Sequence, residues 1–278
     1  PTIDSGRGQI YVTTGENTSH PTTGTSDSVI ALNLETGEEN WVFQALENDM
    51  WNFGCSAQGP NCIVLADTNS VDFDFGGPAI LVESGDKELL IAGQKSGDIW
   101  ALDPDTGALV WNQRVGEGTA LGGNHWGIAT DSERAFMTIN DPGNRSKNNR
   151  PGIYTYFVGT GEPSWSFEVQ PDCDGRSDRL RRCESLYGFS ATPLSVDGAV
   201  ITAGLDGRLF VFNSDTGEQL FQFDTAKDFE TVNGVEGYGG SIDSHSISAG
   251  SGMLFVGSGY GSFSQVAGNV LLAFKPAQ

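Results

Sequence analysis

Asp72 and Asp74 stand two residues apart in Asp-Phe-Asp-Phe-Gly, the spacing that puts both carboxylates on one face of an extended chain. Two acids held together suit either a calcium site or an acid/base pair. The four cysteines carry a second chemistry. Cys55 and Cys62 flank a Pro-Asn turn, while Cys173 and Cys183 bracket an Arg-rich polar loop. Zinc would want two-residue spacings and histidines close by, and neither pair has them, so disulfides 55–62 and 173–183 are expected, although four cysteines admit three connectivities. Disulfides point outside the cytoplasm, to a periplasmic or secreted protein. There is no Cys-x-x-Cys-His, so the chain carries no c-type haem of its own.

The elements that must position these groups repeat. Ala31-Leu32-Asn33-Leu34-Glu35-Thr36-Gly37 runs on to Trp41, and Ala101-Leu102-Asp103-Pro104-Asp105-Thr106-Gly107 to Trp111. A third copy runs from Thr155 through Gly159-Thr160-Gly161 to Trp165, and a fourth from Val211 through Asp215-Thr216-Gly217 to Phe221 in the tryptophan place. The glycines at 37, 107, 161 and 217 are spaced by 70, 54 and 56 residues. Each copy reads as a hairpin: a strand such as Ser28–Leu32, a polar turn whose glycine takes a left-handed conformation, and a second strand such as Asn40–Phe43. A further strand precedes each hairpin, as at Leu89–Gly93 and Ala199–Ala203, and a last unit uses Met253–Val256 and Asn269–Phe274. Three to four strands per repeat make propeller blades, about five of them, in one all-β domain over residues 1–278. Trp41, Trp111 and Trp165 read as core residues that lock neighbouring blades, and Trp126 as blade core. The longest spacing contains Asn48–Gly77, and an insertion in a repeat marks the functional face.

Composition narrows the partners. Acidic residues outnumber basic ones 36 to 15, for a net charge of −21, which opposes contact with nucleic acid or anionic lipid. No stretch approaches 18 consecutive apolar residues, so no membrane span is expected. The absence of an initial methionine or signal peptide at Pro1 leads us to expect a processed or partial chain.

Several stretches resemble the pyrroloquinoline-quinone (PQQ) dehydrogenase propellers, most closely their polyvinyl-alcohol dehydrogenase-like branch. They are Gly24–Leu32, Asp72–Gly76, Ala92–Gly97, Gly122–Gly127 and Gly257–Gly261. The resemblance implies an all-β propeller of eight blades, of which this chain would supply about five and lack N-terminal ones. It implies PQQ held over Ca2+, oxidation of an alcohol, polymer or sugar hydroxyl, and a separate cytochrome c as electron acceptor. Non-enzymatic scaffolds of outer-membrane assembly share the hairpin repeat, so a binding propeller without cofactor, for a partner protein or polysaccharide, is the alternative.

Residue by residue, the family's calcium-binding turn corresponds to Thr14-Gly15-Glu16-Asn17, which makes Glu16 the expected metal ligand with Asn17 beside it. The family's Asp-x-Trp-Asp corresponds to Asp49-Met50-Trp51-Asn52. Asn52 replaces the catalytic aspartate, and an amide is no general base near neutral pH. The proton acceptor is therefore sought among Asp49, Asp72 and Asp74, with Asn52 kept as a cofactor contact. Lys95 in Gln94-Lys95-Ser96-Gly97 matches the cation beside the quinone oxygens, where it would stabilise charge developing on reduction. Asn124 and His125 match polar cofactor contacts, and Asp243, with His245, is placed near the quinone by Gly240–His245.

Overall fold

The computed structural model describes all residues except 57–58, 65–67, 142–145, 177–178 and 276–278. Blade 1 comprises β1 (Thr2–Asp4), β2 (Gln9–Thr13), β3 (Ser28–Asn33) and β4 (Glu39–Gln44), and blade 2 comprises β5 (Ile80–Ser84), β6 (Lys87–Gly93), β7 (Asp98–Leu102) and β8 (Leu109–Arg114). Blade 3 has β9 (Ile128–Thr130), β10 (Arg134–Ile139), β11 (Gly152–Phe157) and β12 (Pro163–Glu168). Blade 4 has β13 (Leu194–Val196), β14 (Ala199–Ala203), β15 (Arg208–Asn213) and β16 (Gln219–Asp224). A short hairpin, β17 (Asp228–Phe229) and β18 (Gly237–Tyr238), leads to a three-stranded fifth blade of β19 (Ile247–Gly250), β20 (Met253–Ser258) and β21 (Val270–Phe274). All blades are antiparallel meanders with neighbours in chain order. The all-β propeller with about five blades read from the repeat is what the chain forms.

The middle strands of blades 2 to 4 are buried on both faces because each of these blades is sandwiched between two others. On β6, Leu90 and Ala92 join a cluster with Tyr11, Val29 and Trp41 of blade 1, whereas Leu89 and Ile91 join Met137, Ile139 and Tyr154 of blade 3. The two-residue period of the strand thus serves two interfaces at once. Similar clusters join blade 3 to blade 4 around Phe136, Phe189 and Phe212, and blade 4 to blade 5 around Ile201, Leu209 and Val256.

The repeated turns dictate how blades dock. Asn33, Asp103 and Asn213 each accept, at one side-chain oxygen, the amides two and three residues on, which winds the chain toward a glycine with φ of 71–73°. In blades 2 to 4 that glycine meets the tryptophan of the preceding blade. A Cβ on Gly107 would lie 2.5 Å from the Trp41 ring, one on Gly161 2.6 Å from Trp111, and one on Gly217 2.7 Å from Trp165. The indoles donate to Pro104 O, Val158 O and Ser214 O at 3.1, 2.8 and 2.8 Å. Phe221, in the fourth tryptophan place, keeps 44% of its surface exposed.

First strands of consecutive blades approach one another, so they are innermost. In a four-stranded meander the turn between third and fourth strands then lies at one end. The connections from second to third strand, and from fourth strand to the next blade, lie at the other. The Asp-Thr-Gly turns occupy the first end. Every candidate site residue is on a connection at the second.

Two disulfides, Cys55–Cys62 and Cys173–Cys183, lie on blade-to-blade connections of that second end. The Arg-rich loop inside the latter is anchored by Arg176, which reaches Asp224 at 2.7 Å and Asp206 at 3.3 Å. Its arginines thus include an internal strut as well as exposed charge.

Candidate active site

The long connection between β4 and β5 is folded around Asp49. Its fully buried carboxylate accepts from Val71 N and Phe73 N, both at 3.2 Å. The neighbouring backbone bonds run Asn17 N to Asp49 O, Met50 N to Asn69 O and Trp51 N to Asn17 O. Asn17 adds its own amide to Asp49 O at 3.3 Å and accepts from Thr23 Oγ1. Asp49 and Asn17 therefore shape the loop that presents Asp72 and Asp74.

Asp72 sits in the left-handed region, with φ of 57°, a conformation that costs a non-glycine residue energy and concentrates at functional sites. Although residues 71–76 form no strand, both acids face one cation. Lys95 Nζ donates to Asp72 Oδ1 at 2.9 Å and to Asp74 Oδ2 at 2.6 Å. Glu16 N donates to the other oxygen of Asp74 at 3.0 Å. Gly15 allows this approach, since a Cβ there would lie 2.2 Å from Asp74 Oδ1. Gln94 Nε2 holds Phe73 O at 2.7 Å, and Lys95 N holds Asp74 O at 3.0 Å. The lysine is buried, 8% exposed.

Two carboxylates thus share one buried ammonium, and Glu16 lies against one of them, Asp74. Burial, followed by the charge and hydrogen bond of Asp74, raises the Glu16 pKa. Burial also raises Asp72 against the pull of Lys95, while Glu16 and Lys95 together overcome burial and lower Asp74. Asp74 and Asp72 hold Lys95 above its usual value although burial opposes them. One oxygen from each of Glu16, Asp72 and Asp74 falls within 4.8 Å of the others, about the diameter of a calcium coordination sphere whose ligands stand roughly 2.4 Å from the ion. The donor set, all carboxylate oxygen with excess negative charge, fits Ca2+.

Asp27 escaped the sequence reading. It is fully buried, neither oxygen has a hydrogen-bond partner among the described residues, and its φ is 46°. Burial and then the charges of Asp49, Asp74 and Asp72 push its pKa up to about 8. The signal available was its place just before β3, where the alternation already demands burial. A carboxyl with a folded pKa above its unfolded one binds its proton more tightly when folded, so its contribution to stability falls as pH rises from about 4 toward about 8. Asp27→Asn is expected to remove that slope. In calcium-free thermal unfolding, its melting temperature relative to the parent should climb between roughly pH 4 and 8; a pH-independent difference would show that Asp27 does not titrate there.

The remaining candidates except Asn52 lie near a second feature of the same end. A cavity of about 450 Å³ is lined by His125, Asn140, Arg182, Leu205, Phe263 and Gln265, among others. His125 Nδ1 pairs with Ser190 Oγ at 3.1 Å, and burial lowers its pKa to about 4, so the ring is neutral at pH 7. Lys95, Asp74 and Asp243 lie within electrostatic range of that ring. Asp243 accepts from Ser244 N and from Gln265 Nε2 of the cavity wall. Asn124 directs its amide to Gly127 O and Thr138 O, which fixes the turn carrying His125. Asn52 Nδ2 donates to Asn61 O inside the disulfide-closed segment. Trp126 lies outside the four blade-interface clusters, against the reading as blade core. Its half-buried ring packs between His125 and His245, at 4.7 and 6.1 Å, because the turn held by Asn124 directs it to this end. Asp141, also missed, accepts from Gly123 N and Gly118 N and props the loop under His125.

The cavity is of cofactor size, and the Lys95 ammonium keeps one donor beyond its two carboxylate bonds. The buried Lys95 cation, and Arg182 in the wall of the cavity, fit an anionic cofactor.

Comparison with known proteins agrees. The family described as "PQQ: Glucose/ethanol/alcohol dehydrogenase, beta-propeller domain" matches residues 1–72. Polyvinylalcohol dehydrogenases from Sphingopyxis sp. (strain 113P3) and Pseudomonas sp are 32% and 34% identical over 99% of this chain. The chain spans only 44% and 43% of those relatives. A europium-containing methanol dehydrogenase superposes over 90% of the chain and 50% of its own, with a TM-score of 0.56 at 14% identity, which speaks to fold alone. With the propeller, the Lys95 cluster and these matches together, the chain is similar to the PQQ-dependent dehydrogenase β-propellers, and along nearly its whole length to the polyvinyl-alcohol dehydrogenases among them.

Proposed function

We propose that the chain carries the cofactor-facing end of a quinoprotein dehydrogenase that oxidises an alcohol hydroxyl, including one on a polymer. The observation that carries this reading is Lys95, buried and held between Asp72 and Asp74 beside Glu16. PQQ, when bound, supplies a two-electron acceptor for the hydride leaving the carbinol carbon. Lys95, with a donor left beyond its two carboxylate bonds, would hold the bound cofactor and supply a buried positive charge against negative charge developing there. Asp72, held by Lys95 beside the other two acids, would take the hydroxyl proton that Asn52 cannot accept. Glu16, Asp72 and Asp74 would hold Ca2+, which adds a Lewis acid at the same spot. His125 would line the cofactor's polar edge, with Asn124 fixing the turn that carries it and Asp243 behind.

Electrons then pass to a separate cytochrome c. The two disulfides support work in the periplasm or outside the cell. Among the described residues no helix is long and apolar enough to cross a membrane. The propeller would reach the family's eight blades only with blades beyond the five seen here.

Calorimetric titration with PQQ, with and without calcium, tests the reading. Calcium-dependent binding is expected, and Glu16→Gln should abolish the calcium effect. A second reading, a binding propeller without cofactor, is favoured by Asn52 in the aspartate position. Absence of PQQ binding in both conditions would establish that reading and overturn ours.

A further inference from the structure

Ser190 lies on the connection between β12 and β13, between Phe189 and Ala191, and all three residues are fully buried. Phe189 N donates to Ile139 O at 3.2 Å, and Thr138 Oγ1 donates to Ala191 O at 3.3 Å. The stretch is thereby pinned along β10, and the serine hydroxyl starts from a fixed point. Among the described residues that hydroxyl has one partner, His125 Nδ1 at 3.1 Å. Trp126 packs on the same ring, with centroids 4.7 Å apart. The other ring nitrogen, Nε2, has no partner among the described residues and is not enclosed by them, since the ring lines the 450 Å³ cavity.

A neutral imidazole carries its proton on one nitrogen and a lone pair on the other, and the bond made at one nitrogen decides which. Were Nδ1 protonated, the ring would donate to Ser190 Oγ. The serine's own O–H would then be a buried donor with nothing to receive it, an unfavourable state in a protein interior. With Nδ1 bare, the serine O–H donates to it and both groups are satisfied. We infer that Ser190 is a positioning residue that holds His125 as the Nε2–H tautomer, so that the ring offers the cavity a hydrogen-bond donor rather than a proton acceptor. A donor there suits an oxygen of an anionic ligand and leaves proton uptake to the acids around Lys95. The use of this donor for a cofactor rests on the dehydrogenase reading, whereas the tautomer rests on the ring's own contacts.

The chain has three histidines, His20, His125 and His245, few enough for long-range proton–nitrogen NMR on protein labelled at histidine nitrogen. Spectra are recorded without PQQ or calcium at pH 7, where burial keeps the His125 ring neutral, and His125→Gln assigns its signals by their loss. The parent is expected to show a protonated Nε2 and a bare Nδ1. Ser190→Ala should lower the ratio of the Nε2–H to the Nδ1–H form about tenfold, the worth of one buried hydrogen bond, so that the two nitrogen shifts converge. Ser190→Thr keeps the hydroxyl and should restore their separation, which a purely space-filling role would not require. A protonated Nδ1 in the parent, or unchanged shifts in Ser190→Ala, overturns the inference; the parent spectrum alone decides if the variant does not fold. Because no cofactor is present, these outcomes are separate from those of the PQQ titration.

Discussion

Lys95→Ala is expected to weaken PQQ binding by an order of magnitude or more and to lower kcat/KM by about 10²–10³, the usual scale for removing one charged donor from a reacting oxygen. Two effects reinforce each other. The variant lacks the buried positive charge set against negative charge developing on the bound cofactor. It also leaves Asp72 and Asp74 buried without their countercharge, and breaking such a pair costs about 3–5 kcal/mol. The cluster answers by taking up protons, so Asp72 becomes a poorer base at neutral pH. Lys95→Arg keeps the charge but spreads it over a planar fork, and should retain binding better than catalysis. Calorimetry and steady-state kinetics measured side by side check the expectation. Full PQQ affinity in Lys95→Ala would remove this residue from the site.

The second large effect lies at the opposite end. Trp111→Ala is expected to lower the free energy of unfolding by about 3–5 kcal/mol, measured by denaturant titration. The indole is 9% exposed, packs on the bare Cα of Gly161 and donates to Val158 O at 2.8 Å, so its loss opens the interface between blades 2 and 3. Trp111→Phe keeps most of the apolar area and should cost less. Phe221→Ala serves as the internal contrast: at 44% exposure it should change stability by under about 1 kcal/mol. Equal losses at the two positions would mean that the ring does not lock the blades.

These two predictions draw on residues of different legibility. The blade hairpins could be read in advance because a polar turn ending in glycine, with a tryptophan four residues on, leaves a pattern that survives repetition. Ala199–Ala203 coincides with β14, and Ser28–Leu32 with all but the last residue of β3. Lys95, Asp72, Asp74 and Glu16 were found as individuals through family resemblance, and the acid pair through its spacing. Their convergence into one cluster was not legible, since it depends on a loop with no strand and on an aspartate with positive φ. Asp27 and Asp141 were missed for a related reason. Their environments come from amides and acids far along the chain, and a lone acid carries no periodic signal. Trp126 misled because tryptophan beside a blade strand elsewhere in this chain does mean core, whereas here an asparagine turn redirects it.

The docking of each tryptophan under the next blade's glycine has a consequence for how such a protein diversifies. That contact fixes turn length and conformation at one end of blades 2 to 4, so drift there is confined to exposed turn positions. At the other end, connections range from Gln94–Gly97 to the whole stretch between β4 and β5, and none is measured against a ring. Changes on the two ends share few contacts and should combine additively. A lineage can therefore exchange substrates, ligands and electron acceptors by rewriting loops, while the frame that holds them inherits almost nothing of the change.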